Sequence, residues 1–289
     1  MIKRCGPLKL PSTVALGPDR AVAAGLPSLK KRFEFTMPKW CEGIISQRRN
    51  WSPGLFTIRI RVPDIEPFLP GQFLQLMVHH QDPVESEPKL INRPYSVASP
   101  HGDELEFFIV VVDGGELTPK LWELEEGQPI HVSQRAAGSF TLQKTPAAQL
   151  AWLFATGTGL APYIAMLRTD YAWEKFQRII VVHGVRKITD LAYTEELLEL
   201  EQRFPGRFKL VQTLTRDQSP NCLTGRIPDL IENGSLEQLV GDEMRPETSS
   251  VLLCGNPAML DSMEQLLGKR NMTLHRSKSP GQIVLERYW

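Results

Sequence analysis

No cysteine in this chain stands in a C-x-x-C pair. The four present, Cys5, Cys41, Cys222 and Cys254, show no zinc or iron–sulfur ligand spacing. A resident iron–sulfur cluster is therefore excluded, and so few thiols in 289 residues point away from a disulfide framework and towards a reducing, cytoplasmic compartment. Net charge is missing as well: 33 Lys and Arg balance 33 Asp and Glu, which argues against a nucleic-acid binder with a strong basic footprint. No apolar run approaches the length of a membrane span, and internal repeats and low-complexity stretches are absent. What is there is the composition of a globular protein, 42% hydrophobic and 23% charged, long enough for two modest domains. We expect a monomer without nucleic-acid or membrane partners.

The charge balance is uneven along the chain. Residues 1–36 hold seven cations and two acids, which leaves 26 cations and 31 acids for residues 37–289. The first segment is basic, weakly periodic and punctuated by Pro7, Pro11, Pro18 and Pro27. Two readings compete: a transit peptide, which would place the protein in an organelle matrix, or a bacterial start codon assigned upstream of Met37. The second is favoured, because a compact domain can begin at Met37. Either way the segment is expected to be poorly ordered.

From 37 to 146 the pattern is mostly strand. Phe56, Ile58, Ile60 and Val62 alternate with Thr57, Arg59 and Arg61, the period-two pattern of a half-buried strand. Residues 73–78, 105–112 and 130–133 read as further strands, with Pro53-Gly54, Pro70-Gly71 and Asp113-Gly114-Gly115 between them. Short strands without long intervening helices predict a small antiparallel barrel. One short helix interrupts the run, with Thr118 as its N-cap and Pro119 as its first residue. From 147 to 289 strand and helix alternate. Strands are expected at 151–155, 178–184, 208–213 and 251–254, and helices from Pro162, over 193–203 and from Pro257. This is a parallel α/β layout that binds ligands at the carboxyl ends of its strands.

The chemistry-bearing residues cluster at these strand ends. Arg93-Pro94-Tyr95-Ser96 sets a guanidinium fork suited to a pyrophosphate beside a flat phenol and a hydroxyl suited to a flavin edge. Pro94 keeps Arg93 extended. On their own the four residues read equally as a strand end with a surface arginine and a half-buried tyrosine. Gly114-Gly115 running into the Thr118 helix offers a second anion grip, or is simply a capped surface helix. Thr156-Gly157-Thr158-Gly159 joins a strand to a helix and lets a pyrophosphate approach backbone, although it is not a full G-x-G-x-x-G fingerprint. Arg186, Arg216 and Arg226 each follow a strand, where arginines in place of an acid favour the 2′-phosphate of NADP. In Cys254-Gly255-Asn256-Pro257, Gly255 permits close ligand approach and Pro257 suits a first helical turn. The chain ends Glu286-Arg287-Tyr288-Trp289, an acid able to relay a proton beside two aromatics able to cover a flat ligand.

In this order the motifs resemble the bacterial-type ferredoxin/flavodoxin–NADP reductases, from Met37 to Trp289. The resemblance implies a Greek-key β-barrel holding FAD without a covalent bond, followed by an α/β domain for NADP whose tail returns to the flavin. It implies that Arg93 binds the FAD pyrophosphate, Tyr95 stacks on the isoalloxazine, Ser96 lies near N5, and Gly115 and Thr118 hold phosphates. On the nucleotide side it implies Thr156, Gly157 and Thr158 at the NADP pyrophosphate, Arg186, Arg216 and Arg226 at the 2′-phosphate, and Cys254 with Gly255 at the nicotinamide. Glu286 assists proton flow, while Tyr288 and Trp289 pack on FAD, Trp289 over the adenine. NADPH is the implied substrate and ferredoxin or flavodoxin the implied partner.

The acidic 79–90 loop and the basic extension depart from the family pattern. Arg59 with Arg61, and the run Lys269, Arg270, His275, Arg276, Lys278, are candidate docking cations, or solvated faces. The alternatives are a reductase component feeding an oxygenase or a haem protein, and a flavin-binding regulatory subunit without hydride transfer.

Overall fold

The computed structural model describes residues 39–80 and 89–287. The extension at 1–36, most of the 79–90 loop, Tyr288 and Trp289 lie outside the described residues.

The first lobe is a six-stranded antiparallel sheet of β1 (Trp40–Ser52), β2 (Leu55–Arg61), β3 (Phe73–His80), β4 (Lys89–Ser96), β5 (Glu104–Val110) and β6 (Pro129–Ser133). Its order is β4-β3-β6-β1-β2-β5. Placing β6 between β3 and β1 gives the Greek-key crossing, and a bridge from Val97 to Phe107 joins the two ends of the order into a barrel. Ile45, Phe56, Ile58, Ile60, Leu74, Leu76, Val97, Leu105, Phe107, Ile109 and Val132 fill its interior. Pro94 sits on β4, an end strand of the order, where a missing N–H is tolerated.

Two expectations for this lobe are corrected. Alternation puts Thr57 with Arg59 and Arg61, away from the barrel core, yet it is only 6% exposed, because Tyr193 of the other lobe packs on it. Helix α1 spans Thr118–Glu123, but Thr118 does not cap it. Its hydroxyl instead accepts from the N–H of Val112 at 2.9 Å and closes the preceding loop.

The second lobe is a six-stranded parallel sheet: β7 (Leu150–Thr156), β8 (Arg178–Val185), β9 (Phe208–Leu214), β10 (Leu223–Thr224), β11 (Ser249–Gly255) and β12 (Ile283–Arg287). Helices α2 (Ala161–Leu167), α3 (Asp170–Lys175), α4 (Thr194–Arg203), α5 (Ile227–Glu232), α6 (Ser235–Val240) and α7 (Pro257–Lys269) cover it. Its central strands are buried on both faces and read as continuous apolar runs, as parallel strands do. Beyond the expected elements, β12 extends the edge beside β11.

Candidate active site

The strand order β10-β9-β8-β7-β11-β12 runs outwards from β7 in both directions. The topological switch lies between β7 and β11, where sheets of this kind bind their ligands, and the two glycine-bearing turns meet there. Gly159 lies so close to Cys254 that a Cβ would stand 2.7 Å from its carbonyl carbon. Gly255, at φ +136°, has no room for a side chain, because a Cβ would lie 2.9 Å from the backbone N and O of Thr156. The absent side chain makes room for Thr156. The hydroxyl of Thr156 accepts from the N–H of Asn256 at 2.7 Å and ties the two turns together. Asn256 then caps α7 by accepting from Ala258 N at 2.9 Å.

Gly157 differs from both. It sits at φ +53° with open space where a Cβ would stand, so its backbone is accessible to a ligand. Its carbonyl accepts from Nε2 of His183 at 3.1 Å. His183 is 0% exposed. Burial pushes its imidazole down to about 4, with the Gly157 bond opposing, so the ring is neutral at physiological pH and holds the turn as a hydrogen-bond donor. Its Nδ1 is buried without a partner. Nothing in the sequence separated this histidine from an ordinary strand residue.

Strand β12 places Glu286 in register with Cys254. From the barrel, Ser96 Oγ donates to Glu286 Oε2 at 3.2 Å across 190 residues of sequence. Burial pushes the Glu286 carboxyl up to about 7, with the Ser96 hydrogen bond opposing. A Cβ on Gly138 would press on the Phe73 ring at 3.1 Å and come into ordinary contact with Glu286 Oε1 at 3.5 Å. Tyr163 on α2 donates to Phe154 O at 3.1 Å. Its phenol is raised by burial and by the charges of Cys254 and Glu286, which places all three in one neighbourhood. Cys254 is 0% exposed, so its thiol is closed off from solvent in this conformation.

Arg93 is exposed. Its Nη2 pairs with Glu116 Oε2 at 2.9 Å, and Nη1 donates to Asn92 O at 2.8 Å. That pair brings the Arg93–Ser96 motif against the 112–118 loop. The loop is less open than expected, because Gly115 N–H already donates to Val112 O at 2.9 Å. Tyr95 is half-buried on the barrel core, and burial holds its phenol above the ordinary value.

Arg186, Arg216 and Arg226 are exposed beyond β8, β9 and β10. The N–H of Arg216 donates to the carbonyl of Arg186 at 2.8 Å, knitting the first two loops together. Among the described residues, none of the three guanidinium groups has an acidic partner. The other basic candidates differ. Arg59 pairs with Glu106 at 2.8 Å, Arg61 with Glu104 at 3.0 Å and Arg270 with Glu237 at 2.7 Å. Acids on adjacent elements therefore neutralise much of the expected docking charge.

The model for the oxidoreductase NAD-binding domain matches residues 153–265. The flavodoxin/ferredoxin–NADP reductase of Escherichia coli (strain K12) is 38% identical over 255 residues, covering 88% of this chain and 100% of that protein. The reductase of the same name from Buchnera aphidicola subsp. Baizongia pistaciae is 36% identical over 255 residues with the same coverage. A solved ferredoxin NADP+ reductase from Neisseria gonorrhoeae, with bound FAD and NADP, superposes with a TM-score of 0.81 at 28% identity, covering 88% of this chain and 100% of that one.

Proposed function

The chain belongs to the flavodoxin/ferredoxin–NADP reductase family, and we propose that the Ser96–Glu286 contact marks where its chemistry takes place. The protein is an FAD-dependent oxidoreductase that moves electrons between NADPH and a one-electron carrier, ferredoxin or flavodoxin. FAD, when bound, supplies the conversion between the two-electron chemistry of a nicotinamide and the one-electron chemistry of the carrier.

The residues present fit these groups. On the barrel, Arg93 presents an exposed guanidinium suited to a pyrophosphate, and Tyr95 a half-buried ring suited to stacking. On the nucleotide lobe, Gly157 offers accessible backbone, with Thr156 and Thr158 beside it. Arg186, Arg216 and Arg226 read the 2′-phosphate of NADPH; each charge-assisted contact of this kind is worth about 1.5–3 kcal/mol.

Proton handling falls to Ser96 and Glu286. A carboxyl near 7 exchanges its proton readily at neutral pH, and the Ser96 hydroxyl connects it to the barrel strand that carries Arg93 and Tyr95. Cys254 and Gly255 form the wall beneath. The single observation that carries this reading is the 3.2 Å Ser96–Glu286 bond, which joins one motif from each lobe.

We take residues 37–146 as the FAD lobe and 147–289 as the NADP lobe, acting as a monomer, with Tyr288 and Trp289 covering FAD. No helix among the described residues is long and apolar enough to cross a membrane, and we place the enzyme in the cytoplasm. The test is direct. Purified protein is yellow, and anaerobic NADPH bleaches it faster than NADH does. A colourless protein refutes the assignment of Arg93–Ser96 to FAD, and equal reduction by both nucleotides refutes the arginine assignment.

A further inference from the structure

One carboxylate of the barrel gathers two side chains of the nucleotide lobe. Glu106 on β5 is only 3% exposed. It accepts from Arg59 Nε within the barrel at 2.8 Å and from the Tyr193 hydroxyl of the other lobe at 2.8 Å. Arg168, at the end of α2, brings Nη1 to 3.3 Å from the same carboxylate. Arg168 is itself held by both oxygens of Glu196 on α4, at 2.7 and 2.8 Å. Its Nη1 also donates to the carbonyl of Ala98 in the barrel at 3.0 Å.

Tyr193 reaches further still. Its hydroxyl shares a hydrogen bond with Thr57 Oγ1 at 3.0 Å, and Thr57 accepts from Trp51 Nε1 at 2.8 Å. Its backbone lies at φ +58°, a left-handed conformation that a bulky residue keeps only where its surroundings over-determine it. Two arginines and two glutamates balance the charge, so Glu106 is compensated in its burial.

The location of this cluster gives it meaning. Ala98 lies two residues beyond Ser96, and its N–H donates to the carbonyl of Glu106 at 2.7 Å. At the other end, α2 begins directly after the Thr156–Leu160 turn. The cluster thus ties the far end of the nucleotide helix to the strand that carries Ser96. Buried ion pairs add little net stability compared with apolar packing, but their directional bonds accept one docking geometry.

We propose that Glu106, Arg168 and Tyr193 form a clamp between the lobes that positions the nicotinamide of NADPH against the Ser96 edge. They are positioning residues, and the inference rests on the placement of FAD at Arg93–Ser96 and of NADPH at Thr156–Gly159 given above.

The experiment compares full-length, FAD-loaded protein with Tyr193→Phe and Glu106→Gln. It measures the NADP+ dissociation constant, the single-turnover rate of flavin reduction by NADPH, and amide hydrogen exchange at Ala98 and across α2. The expected result is NADP+ binding within about twofold of the parent, reduction slowed about tenfold, the scale of a small misplacement, and faster exchange at Ala98 and in α2. Tyr193→Phe removes one oxygen and keeps the ring against Trp51, 5.0 Å between centroids, so it decides the matter if Glu106→Gln does not fold. Unchanged reduction with a lowered thermal midpoint overturns the clamp in favour of a purely structural role. A binding constant weakened by the same factor as the rate overturns it as well. A colourless parent protein instead overturns the functional assignment, while the exchange measurement still reports whether the lobes are tied through Tyr193.

Discussion

Replacing Glu286 with glutamine removes a charge that the fold resists. Burial holds this carboxyl up to about 7 against an ordinary 4.5, a gap that corresponds to about 3 kcal/mol. The folded protein binds this proton more tightly than the unfolded chain does. Below pH 4.5 both states are protonated and no penalty exists. Between there and about 7 the unfolded chain has lost the proton while the folded one keeps it, so this group's contribution to stability falls as pH rises and levels off above 7. Glutamine has nearly the same shape, can still accept from Ser96, and does not titrate. E286Q is therefore expected to match the parent near pH 4.5 and to exceed it by up to about 3 kcal/mol at pH 8.

The assay is urea unfolding of both proteins at matched free FAD, since a ligand that binds only the folded state shifts the midpoint. The quantity to read is the difference between variant and parent. Buried His183, held at about 4, slopes the other way in the parent and the variant alike: its contribution is lost as pH falls from 6.5 through about 4. Turnover with a one-electron carrier should lose its pH limb near 7 in E286Q. A variant-minus-parent difference that stays flat from pH 4.5 to 8 refutes the reasoning, because the carboxyl would then titrate in the folded protein as it does in the unfolded chain.

Gly255→Ala forces a Cβ against Thr156 at a backbone φ of +136°. It should lower stability by about 1–3 kcal/mol and weaken NADP+ binding by calorimetry while leaving the flavin absorbance intact. Arg216→Ala should raise KM for NADPH about tenfold or more and leave that for NADH nearly unchanged, as steady-state kinetics with both nucleotides will show. His183→Leu leaves the Gly157 carbonyl without its donor. It should cost about 1–3 kcal/mol in thermal or urea unfolding and loosen nucleotide binding more than flavin binding. Deleting residues 1–36 should preserve flavin content and turnover, and loss of FAD would move the domain boundary.

Much of this protein was legible in short stretches of its sequence. Alternating apolar residues at 56–62, unbroken apolar runs at 151–155 and 178–184, and Gly/Pro punctuation announced a barrel followed by an α/β lobe. Local steric rules act within a few residues, so they survive in sequence. The motifs Arg93–Ser96, Thr156–Gly159 and Cys254–Pro257 were visible for the same reason, since each sits where backbone geometry restricts the choice of residue. Partnership was not visible. Only the parallel pairing of β12 with β11 puts Glu286 beside Cys254, and only the packing of the two lobes brings it to Ser96. Only the strand beside β2 shows that Arg59 and Arg61 are already paired. Only the packing of Thr156 reveals that a side chain at Gly255 would meet the neighbouring turn. Thr57 is buried because a second lobe lies on it, and Thr118 bonds backwards to Val112 rather than capping its helix. The chain's residue order determined the elements and the chemical types at their ends. The tertiary structure decided which of those ends face one another, because strand order and register follow from burying whole faces, a condition that no short window of sequence contains.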